Sequence, residues 1–187
     1  RPPRSTLFPY TTLFRSYGAF MATEHLIREG HKRIVLINSP IEFRINHEVY
    51  DGVRLAMLQS QIELDLIENV YFGENPGYEA MKRLIEEDPA LTGVIASEDM
   101  TAWGAIRALK EVGKRVPEDV SVISVANVPG EHNFQPSIST IYIPWNDIGR
   151  KLVRLLMRAI KEPGDRWEEI RITPKLILKE STKPSRF

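Results

Sequence analysis

The sequence predicts an α/β fold in which a parallel sheet is flanked by helices. Two observations lead to this prediction. Short apolar runs bounded by turn residues recur along the chain, and such runs are typical of strands buried on both faces of a sheet. Between the runs lie segments whose apolar residues repeat at helical spacing. Strands that alternate with helices form right-handed βαβ crossovers, and therefore a parallel sheet.

The first half of the chain contains three predicted helices and three predicted strands. Gly30 ends the first helix, and Asn75-Pro76 is a favourable opening for the third, because Asn caps a helix and Pro fits its first turn. The residues between the first strand and the second helix are polar and predict a loop. The expected helices are 18–29, 49–60 and 75–87, and the expected strands are 34–37, 70–72 and 93–97.

The second half continues this alternation and then changes. A helix ended by Gly113 and a buried strand come first, and an extended segment that ends at Pro144 follows. The next helix, capped by Asn146 or Asp147, has an apolar stripe on one side and basic residues on the other. The expected helices are 101–112 and 146–161, and the expected strands are 120–125, 139–143 and 175–179.

Composition excludes several kinds of protein. Lys+Arg and Asp+Glu are both 25, so the chain lacks the basic excess that phosphate neutralisation favours in DNA-binding proteins. There is no cysteine, and the four histidines lack the spacing of metal ligands. No apolar run approaches the length of a membrane span. No G-x-G-x-x-G, P-loop or G-x-S-x-G motif is present, so we expect no catalytic residue, no metal and no cofactor.

The pattern also indicates where a ligand would bind. In parallel sheets, ligands bind beyond the carboxyl ends of the strands. The predicted strand ends are Asn38-Ser39, Phe72-Gly73, Ser97-Glu98-Asp99 and Ala126-Asn127.

The first sixteen residues differ from the rest of the chain. They include Pro2, Pro3 and Pro9 and show no helical or strand period. Within them, Thr6 to Ser16 resembles the in-frame translation of a short-read sequencing adapter; a natural apolar arm is the alternative. We therefore expect 1–16 to be an artefactual leader, Tyr17 to be the first residue of natural sequence, and the chain to be a fragment that lacks its true N-terminus.

A set of motifs resembles the effector-binding domain of the LacI/GalR (lactose/galactose repressor) family. The motifs occur in the family's order from Gly18 to Thr182. They are G-A…H-L-I-x-x-G-H-K-R-I (18–34), S-E-D…A-x-G-A-I-x-A-L (97–109), V-P-E-D-V-S-V-I (116–123), P-S-I-S-T (136–140) and L-x-L-K-x-S-T (176–182).

The resemblance implies a periplasmic-binding-protein type I fold, in which two Rossmann-like subdomains enclose a sugar. Residues 17–141 plus 170–182 would form the C-terminal subdomain. The segment 145–163 would be a helix of an N-terminal subdomain that is otherwise missing, as is the DNA-binding head. The apolar stripe of this helix would pack against the sheet of the missing subdomain, so we predict that the helix is poorly anchored in this chain.

The resemblance also implies site residues. Ligand-binding positions would be Phe72, Glu98, Asn127, Trp145 and Arg44, and positions of the dimer interface would be Trp103 and Phe134. Structural alternatives stay open: core packing for Phe72 and Trp103, a solvated acid for Glu98, packing on its own helix for Trp145, and a surface role for Arg44. For Asp99 we expect an N-cap of the following helix.

Two departures from the family pattern concern charged ligand contacts. Val49 stands where the family has an arginine that holds the sugar, and Ala126 stands where it has an aspartate. Either other polar residues replace these contacts, namely Arg44, Asn46, His47 and Asn127, or the ligand is not a simple hexose.

The resemblance therefore implies the sensing and dimerisation domain of a cytoplasmic transcriptional regulator. Its partners would be a sugar or small polar metabolite, a second copy of the chain, and operator DNA only through the missing head; no membrane is expected. A periplasmic sugar-binding protein of a transport system is the alternative, because it would share the fold and the cleft. An enzyme is the least favoured alternative, since fold alone does not indicate activity.

Overall fold

The structure, a computed structural model, describes residues 11–40, 44–64, 67–127, 133–161 and 173–183, without the side chains of 11–14 and 44–45. Helices and strands alternate through most of this length. In chain order they are α1 (Thr11–Arg28), β1 (Ile34–Asn38), α2 (Arg44–Gln59), β2 (Ile67–Asn69), α3 (Glu74–Glu87), β3 (Gly93–Ala96), α4 (Asp99–Glu111), β4 (Ser121–Ser124), β5 (Ser139–Tyr142), α5 (Trp145–Lys161) and β6 (Lys175–Ile177).

The strands form one six-stranded sheet in the order β2-β1-β3-β4-β5-β6. All neighbouring pairs are parallel except β5 and β6, which are antiparallel. In the central register Ile37 lies opposite Ala96, and Ala96 lies opposite Ser124. The predicted parallel α/β sheet is confirmed.

The sheet separates two hydrophobic layers. Every residue of β1, β3 and β4 is buried, as expected for strands that are covered on both faces. Successive side chains point to opposite faces. Thus Leu36 packs in the layer of α1 and α2, whereas Val35 and Ile37 pack in the layer of α3 and α4.

Helices α3 and α4 pack with their backbones in close approach. A β-carbon at Gly104 would collide with the carbonyl oxygen of Glu74, and one at Gly77 would collide with that of Thr101. Glycine is required at both contacts for this spacing. The beginnings of α3 and α4 are therefore held in a fixed relation to each other.

The last strand and its tail are fastened by buried hydroxyls. The backbone N–H of Ser139 donates to Ser181 Oγ at 2.8 Å, and Ser181 Oγ donates to the carbonyl oxygen of Val122 at 2.6 Å. The hydroxyl oxygens of Ser139 and Thr182 lie 2.7 Å apart. The P-S-I-S-T and L-x-L-K-x-S-T motifs therefore contact each other.

Helix α5 differs from the others because none of its residues is buried. Leu152, Val153 and Leu156 are each 60% exposed, and Ile160 is 64% exposed. Ile148 and Leu155 are half-buried, and the weak anchoring of this helix stays a prediction. Among the described residues, no helix is long and apolar enough to cross a membrane.

Several predicted boundaries were wrong. Helix α1 begins at Thr11, before the predicted start at Gly18, and α2 begins at Arg44 inside the predicted loop. The described part of the predicted leader, 11–16, thus continues α1, and the Ser16 carbonyl lies where a β-carbon of Gly52 would be. Residues 11–16 show no apolar period, so the sequence did not predict a helix; packing against α2 stabilises the helix in this stretch.

The second strand was also misplaced. It is Ile67–Asn69, paired with β1, and the predicted strand residues Val70 to Phe72 follow it. Apolar and aromatic residues favoured that stretch, but β-propensity depends on context, and an edge strand needs few apolar residues. Helix α3 begins at Glu74 with Gly73 before it and no side-chain cap, so the predicted cap at Asn75 was wrong.

Candidate effector site at the carboxyl edge of the sheet

The carboxyl ends of the central strands are lined by buried polar residues. Asn38 ends β1 and Ser39 follows it, and Ser97 and Glu98 follow β3. The hydroxyl oxygens of Ser39 and Ser97 lie 3.3 Å apart, which joins the two neighbouring strand ends. The predicted strand ends therefore meet at one edge.

Glu98 caps α4, although we expected Asp99 to do so. Its Oε1 accepts hydrogen bonds from Thr101 N and Thr101 Oγ1, both at 2.8 Å, and its Oε2 accepts from Met100 N at 3.0 Å. The backbone of Glu98 is extended, as a capping residue requires, whereas Asp99 is the first residue of the helix. Sequence favoured Asp99 because aspartate is the commoner cap.

Asp99 instead faces the sheet. Its carboxylate accepts a hydrogen bond from Ser124 Oγ, and the hydroxyl oxygens of Ser124 and Thr140 lie 2.6 Å apart. All three side chains are buried. The Asp99 side chain thus fixes the beginning of α4 to the end of β4, and Ser124 connects it to Thr140 near the beginning of β5.

Glu98 also contacts the loop that carries Phe72. The N–H of Gly73 donates to Glu98 Oε1 at 3.2 Å and, more weakly, to Thr101 Oγ1 at 3.4 Å. Gly73 has φ +126°, a conformation in which other residues are strained. Phe72 is 55% exposed, so core packing, the alternative for this residue, is not observed.

Asn127 and Trp145 are brought together at the end of β4. Asn127 Oδ1 accepts from the N–H of Ile143 at 2.7 Å, and the indole N–H of Trp145 donates to the Asn127 carbonyl oxygen at 3.3 Å. Trp145 is 40% exposed and opens α5. Both residues lie at the predicted edge, and Asn127 fixes the crossover segment.

The other residues predicted to replace the missing charged contacts, Arg44, Asn46 and His47, lie in the first turn of α2. Arg44 is its first residue, and the Arg44 side chain lies outside the described residues. Asn46 is buried and donates to the carbonyl oxygen of Pro40 at 2.6 Å, whereas His47 is exposed. Val49 is buried in the α1–α2 layer, and Ala126 is half-buried at the end of β4.

Two further residues at this edge are Asn38, which the sequence predicted only as a strand end, and Tyr71, which it did not single out. Asn38 is buried and donates to the Asn46 carbonyl oxygen at 2.9 Å, but its Oδ1 has no hydrogen-bond partner within the described part of the chain. Tyr71, next to Phe72, is highly exposed. The sequence placed Asn38 at the candidate edge because it is a polar residue that ends a buried strand; Tyr71 was not considered because it was assigned to a strand.

The two predicted dimer residues contact each other away from this edge. The ring centroids of Trp103 and Phe134 lie 5.3 Å apart, and Lys110 Nζ lies 5.8 Å from the Trp103 ring centroid. Both rings are half-buried and pack against the α3–α4 layer. Each therefore contributes to the core and also presents surface.

A depression of about 300 Å³ lies at the opposite edge, near the amino end of β1. Its walls include Arg33 and Asp88, which form an ion pair with N···O 2.7 Å. It contains none of the predicted ligand-binding residues. Over the described ranges, no group of three or more metal-binding side chains occurs.

Comparison with known proteins identifies the family. Residues 23–182 match the periplasmic binding protein-like domain, which is most of the chain. The chain belongs to this family. The match confirms the fold expected from the LacI/GalR motifs and includes the candidate edge.

The similar proteins are transcriptional regulators. The HTH-type transcriptional repressor PurR of Histophilus somni (strain 129Pt) is 33% identical over 168 residues, which are 89% of this chain and 50% of that protein. The transcriptional regulator CelR, in the structure of its complex with cellobiose, is 31% identical to this chain, and the two structures superpose with a TM-score of 0.76. The match covers 89% of this chain and 52% of CelR. A LacI family regulator from Enterococcus faecium with bound ribose is 30% identical with TM-score 0.79 and covers 91% and 64%.

These relatives confirm the resemblance to LacI/GalR effector-binding domains. The chain spans about half the length of the curated relatives it matches. They are regulators rather than enzymes, and they give the periplasmic transport alternative less support than the regulator.

Proposed function

We propose that this chain is the effector-sensing module of a LacI-type transcriptional regulator. The observation that supports this most is the coincidence of two independent results. The sheet edge where the sequence predicts a ligand carries exposed aromatic rings above buried polar residues, and the whole edge lies within the family match. Ligand pockets combine apolar walls with a few placed polar groups in this way.

The effector is proposed to be a sugar or another small, uncharged, polar metabolite. Phe72 and Trp145 offer ring faces to the C–H surface of such a ligand, and Arg44 begins the helix beside β1. Similar regulators bind cellobiose or ribose, which supports this class. The missing charges at Val49 and Ala126 favour a ligand that differs from a simple hexose.

A thermal-shift screen tests this class. Cellobiose and ribose are added to the full-length gene product, and a ligand that binds the native state raises its melting temperature. We expect Phe72→Ala to abolish that rise, whereas Tyr78→Phe, on α3 away from the edge, should leave it intact. A rise that survives Phe72→Ala would move the site elsewhere; no rise with either sugar would reject these two ligands.

We propose further that α5 belongs to a second subdomain, as the segment 145–163 of the predicted division. Its exposed apolar side needs a covering surface, and the relatives have about twice this chain's length. Residues 17–141 with 170–182 would then be the C-terminal subdomain. Effector binding between the two would shift their relative position, and operator DNA, in the cytoplasm, would be bound by a head outside this sequence.

The proposed dimer interface contains Trp103 and Phe134. Aromatic residues are enriched at the centres of interfaces. We expect Trp103→Glu to give a folded monomer in sedimentation velocity, because charge is excluded from an interface centre. Trp145→Glu, the control, should leave the dimer intact. Unfolding of Trp103→Glu would show a role in the core, and a persistent dimer would place the interface elsewhere.

A further inference from the structure

The polar side chains that follow β3 and β4 both hold segments that carry exposed aromatic rings. Glu98 accepts from the N–H of Gly73, the residue after Phe72. Asn127 accepts from the N–H of Ile143 through its side chain and from the Trp145 indole through its carbonyl oxygen. Glu98 and Asn127, which were expected to contact the ligand, therefore form hydrogen bonds to the segments that carry Phe72 and Trp145.

These contacts bring distant segments to neighbouring strand ends. Phe72 follows β2 and Trp145 follows β5, and three strands separate β2 from β5 in the sheet. Glu98 and Asn127, however, follow β3 and β4, which are adjacent. The loop after β2 is therefore held at the end of β3, next to the strand end where the Trp145 indole is bound.

Glu98 has little capacity left for a ligand. An ionised carboxylate accepts about four hydrogen bonds. Oε1 of Glu98 already has three donors, Gly73 N, Thr101 N and Thr101 Oγ1, whereas Oε2 has Met100 N and keeps one acceptor position. The side chain is also buried, and the close packing of α3 on α4 at Gly77 and Gly104 keeps these donors in place.

We propose that Glu98 is a positioning residue and not a ligand contact. It fixes the Gly73 backbone, and through it the Phe72 ring, at the edge of the sheet. This inference rests on the proposed function for its biological meaning. It implies that the effector is recognised through the face of an aromatic ring rather than through hydroxyl contacts to the Glu98 carboxylate.

Glu98→Asp separates the two roles of this side chain. Aspartate is a good N-cap, so the bonds from Met100 N and Thr101 N should persist, but its side chain is too short to reach Gly73. In the full 187-residue chain we expect amide exchange at Gly73 to accelerate about two- to tenfold, because the 3.2 Å bond to Glu98 Oε1 is lost while the 3.4 Å bond to Thr101 Oγ1 remains. Met100 and Thr101 should keep their protection. A 4-fluorophenylalanine label at position 72 should give an altered ¹⁹F signal.

Glu98→Ala is the matched comparison, in which the cap is lost as well and the amides of Met100 and Thr101 also exchange faster. Unchanged Gly73 exchange in Glu98→Asp, or an unchanged ¹⁹F signal, would overturn the proposal. If Glu98→Asp does not fold, a through-hydrogen-bond coupling between Gly73 ¹⁵N and Glu98 ¹³Cδ in the unaltered chain decides, and its absence overturns the proposal.

The same variant is then titrated with cellobiose and ribose. Weaker binding together with faster Gly73 exchange and an altered ¹⁹F signal supports positioning, because loss of a ligand contact alone would leave both signals unchanged. Undiminished binding overturns it. If neither sugar binds the unaltered chain, that ligand assignment fails, but the Gly73 and ¹⁹F results still decide whether Glu98 fixes the loop.

Discussion

Helices α4 and α5 show how similar patterns can have opposite structural outcomes. Each follows a strand and has an apolar side, and their lengths are 13 and 17 residues. Helix α4 buries Ala102, Ile106 and Leu109 against the sheet and α3, whereas α5 buries nothing. An amphipathic pattern therefore predicts that a helix has a face to cover, but it does not show where the cover lies.

Hydrogen exchange should reveal the largest difference between these helices. Amides of α5 should open with a free energy near zero, since no packing opposes fraying, and amides in the middle of α4 should approach the global free energy of unfolding. The measurement is native-state exchange on the 187-residue chain. Equal protection of the two helices would show that α5 is anchored after all.

Truncating one isoleucine in each helix gives a matched pair. Ile106→Ala, in the α3–α4 layer, should lower the free energy of unfolding by about 2–5 kcal/mol, because it leaves a cavity. Ile160→Ala, on exposed α5, should change it by less than about 0.5 kcal/mol. Urea denaturation measures both. Similar losses for the two variants would mean that α5 contributes to the same cooperative unit.

The contrast also explains how much of the fold could be predicted. The strands β1, β3 and β4 were found because complete burial requires continuous apolar runs, which are visible in a single sequence. The edge strand β2 was placed too far along, because Ile67 is its only strongly apolar residue and its pairing with Leu36 is a long-range contact. Its position depends on a neighbour, not on its own composition.

The same limit applies to the candidate site. The sequence showed that Phe72, Glu98, Asn127 and Trp145 end or follow strands, so their common edge could be predicted. It could not show the direction of each side chain. Glu98 points to Gly73 because α3 and α4 approach closely, and that approach requires two glycines that are distant in sequence. A polar residue at a strand end is therefore ambiguous until its donors are known.

Removing one buried hydroxyl should have a smaller effect than the core truncation. Ser181→Ala leaves the N–H of Ser139 and the carbonyl oxygen of Val122 without this partner, so the free energy of unfolding should fall by about 1–3 kcal/mol. Exchange should accelerate in β5 and leave α5 unchanged, because α5 does not depend on the tail. The exposed Ser60→Ala is the control, and urea denaturation with exchange measures both. An effect no larger than the control's would contradict a fastening role for the tail.

Acid should weaken the sheet layer and spare α5. Burial lowers the pKa of His25 and His31 below the ordinary value; Lys183 adds to this for His31 and Arg28 for His25, while Glu29 opposes it in both. Among the described residues, His25 Nε2 is buried without a hydrogen-bond partner. The unfolded chain then binds more protons than the folded one below about pH 6.5. Stability is therefore complete above that pH and falls as the pH decreases through it.

Urea denaturation at pH 7.5 and 5.5 checks this sign. The double variant His25→Gln/His31→Gln should lose most of the pH dependence, and His47→Gln, at an exposed position on α2, should keep it. The described carboxylates with a lowered pKa, Asp119 beside Arg115 and Glu180 beside Ser137, stay ionised throughout this range, so they do not mask the histidines. Protection factors in α5 should not change, because that helix contains no histidine. Equal or higher stability at pH 5.5 would contradict burial of the neutral imidazoles. A parallel loss of protection in α5 would show that this helix unfolds together with the sheet.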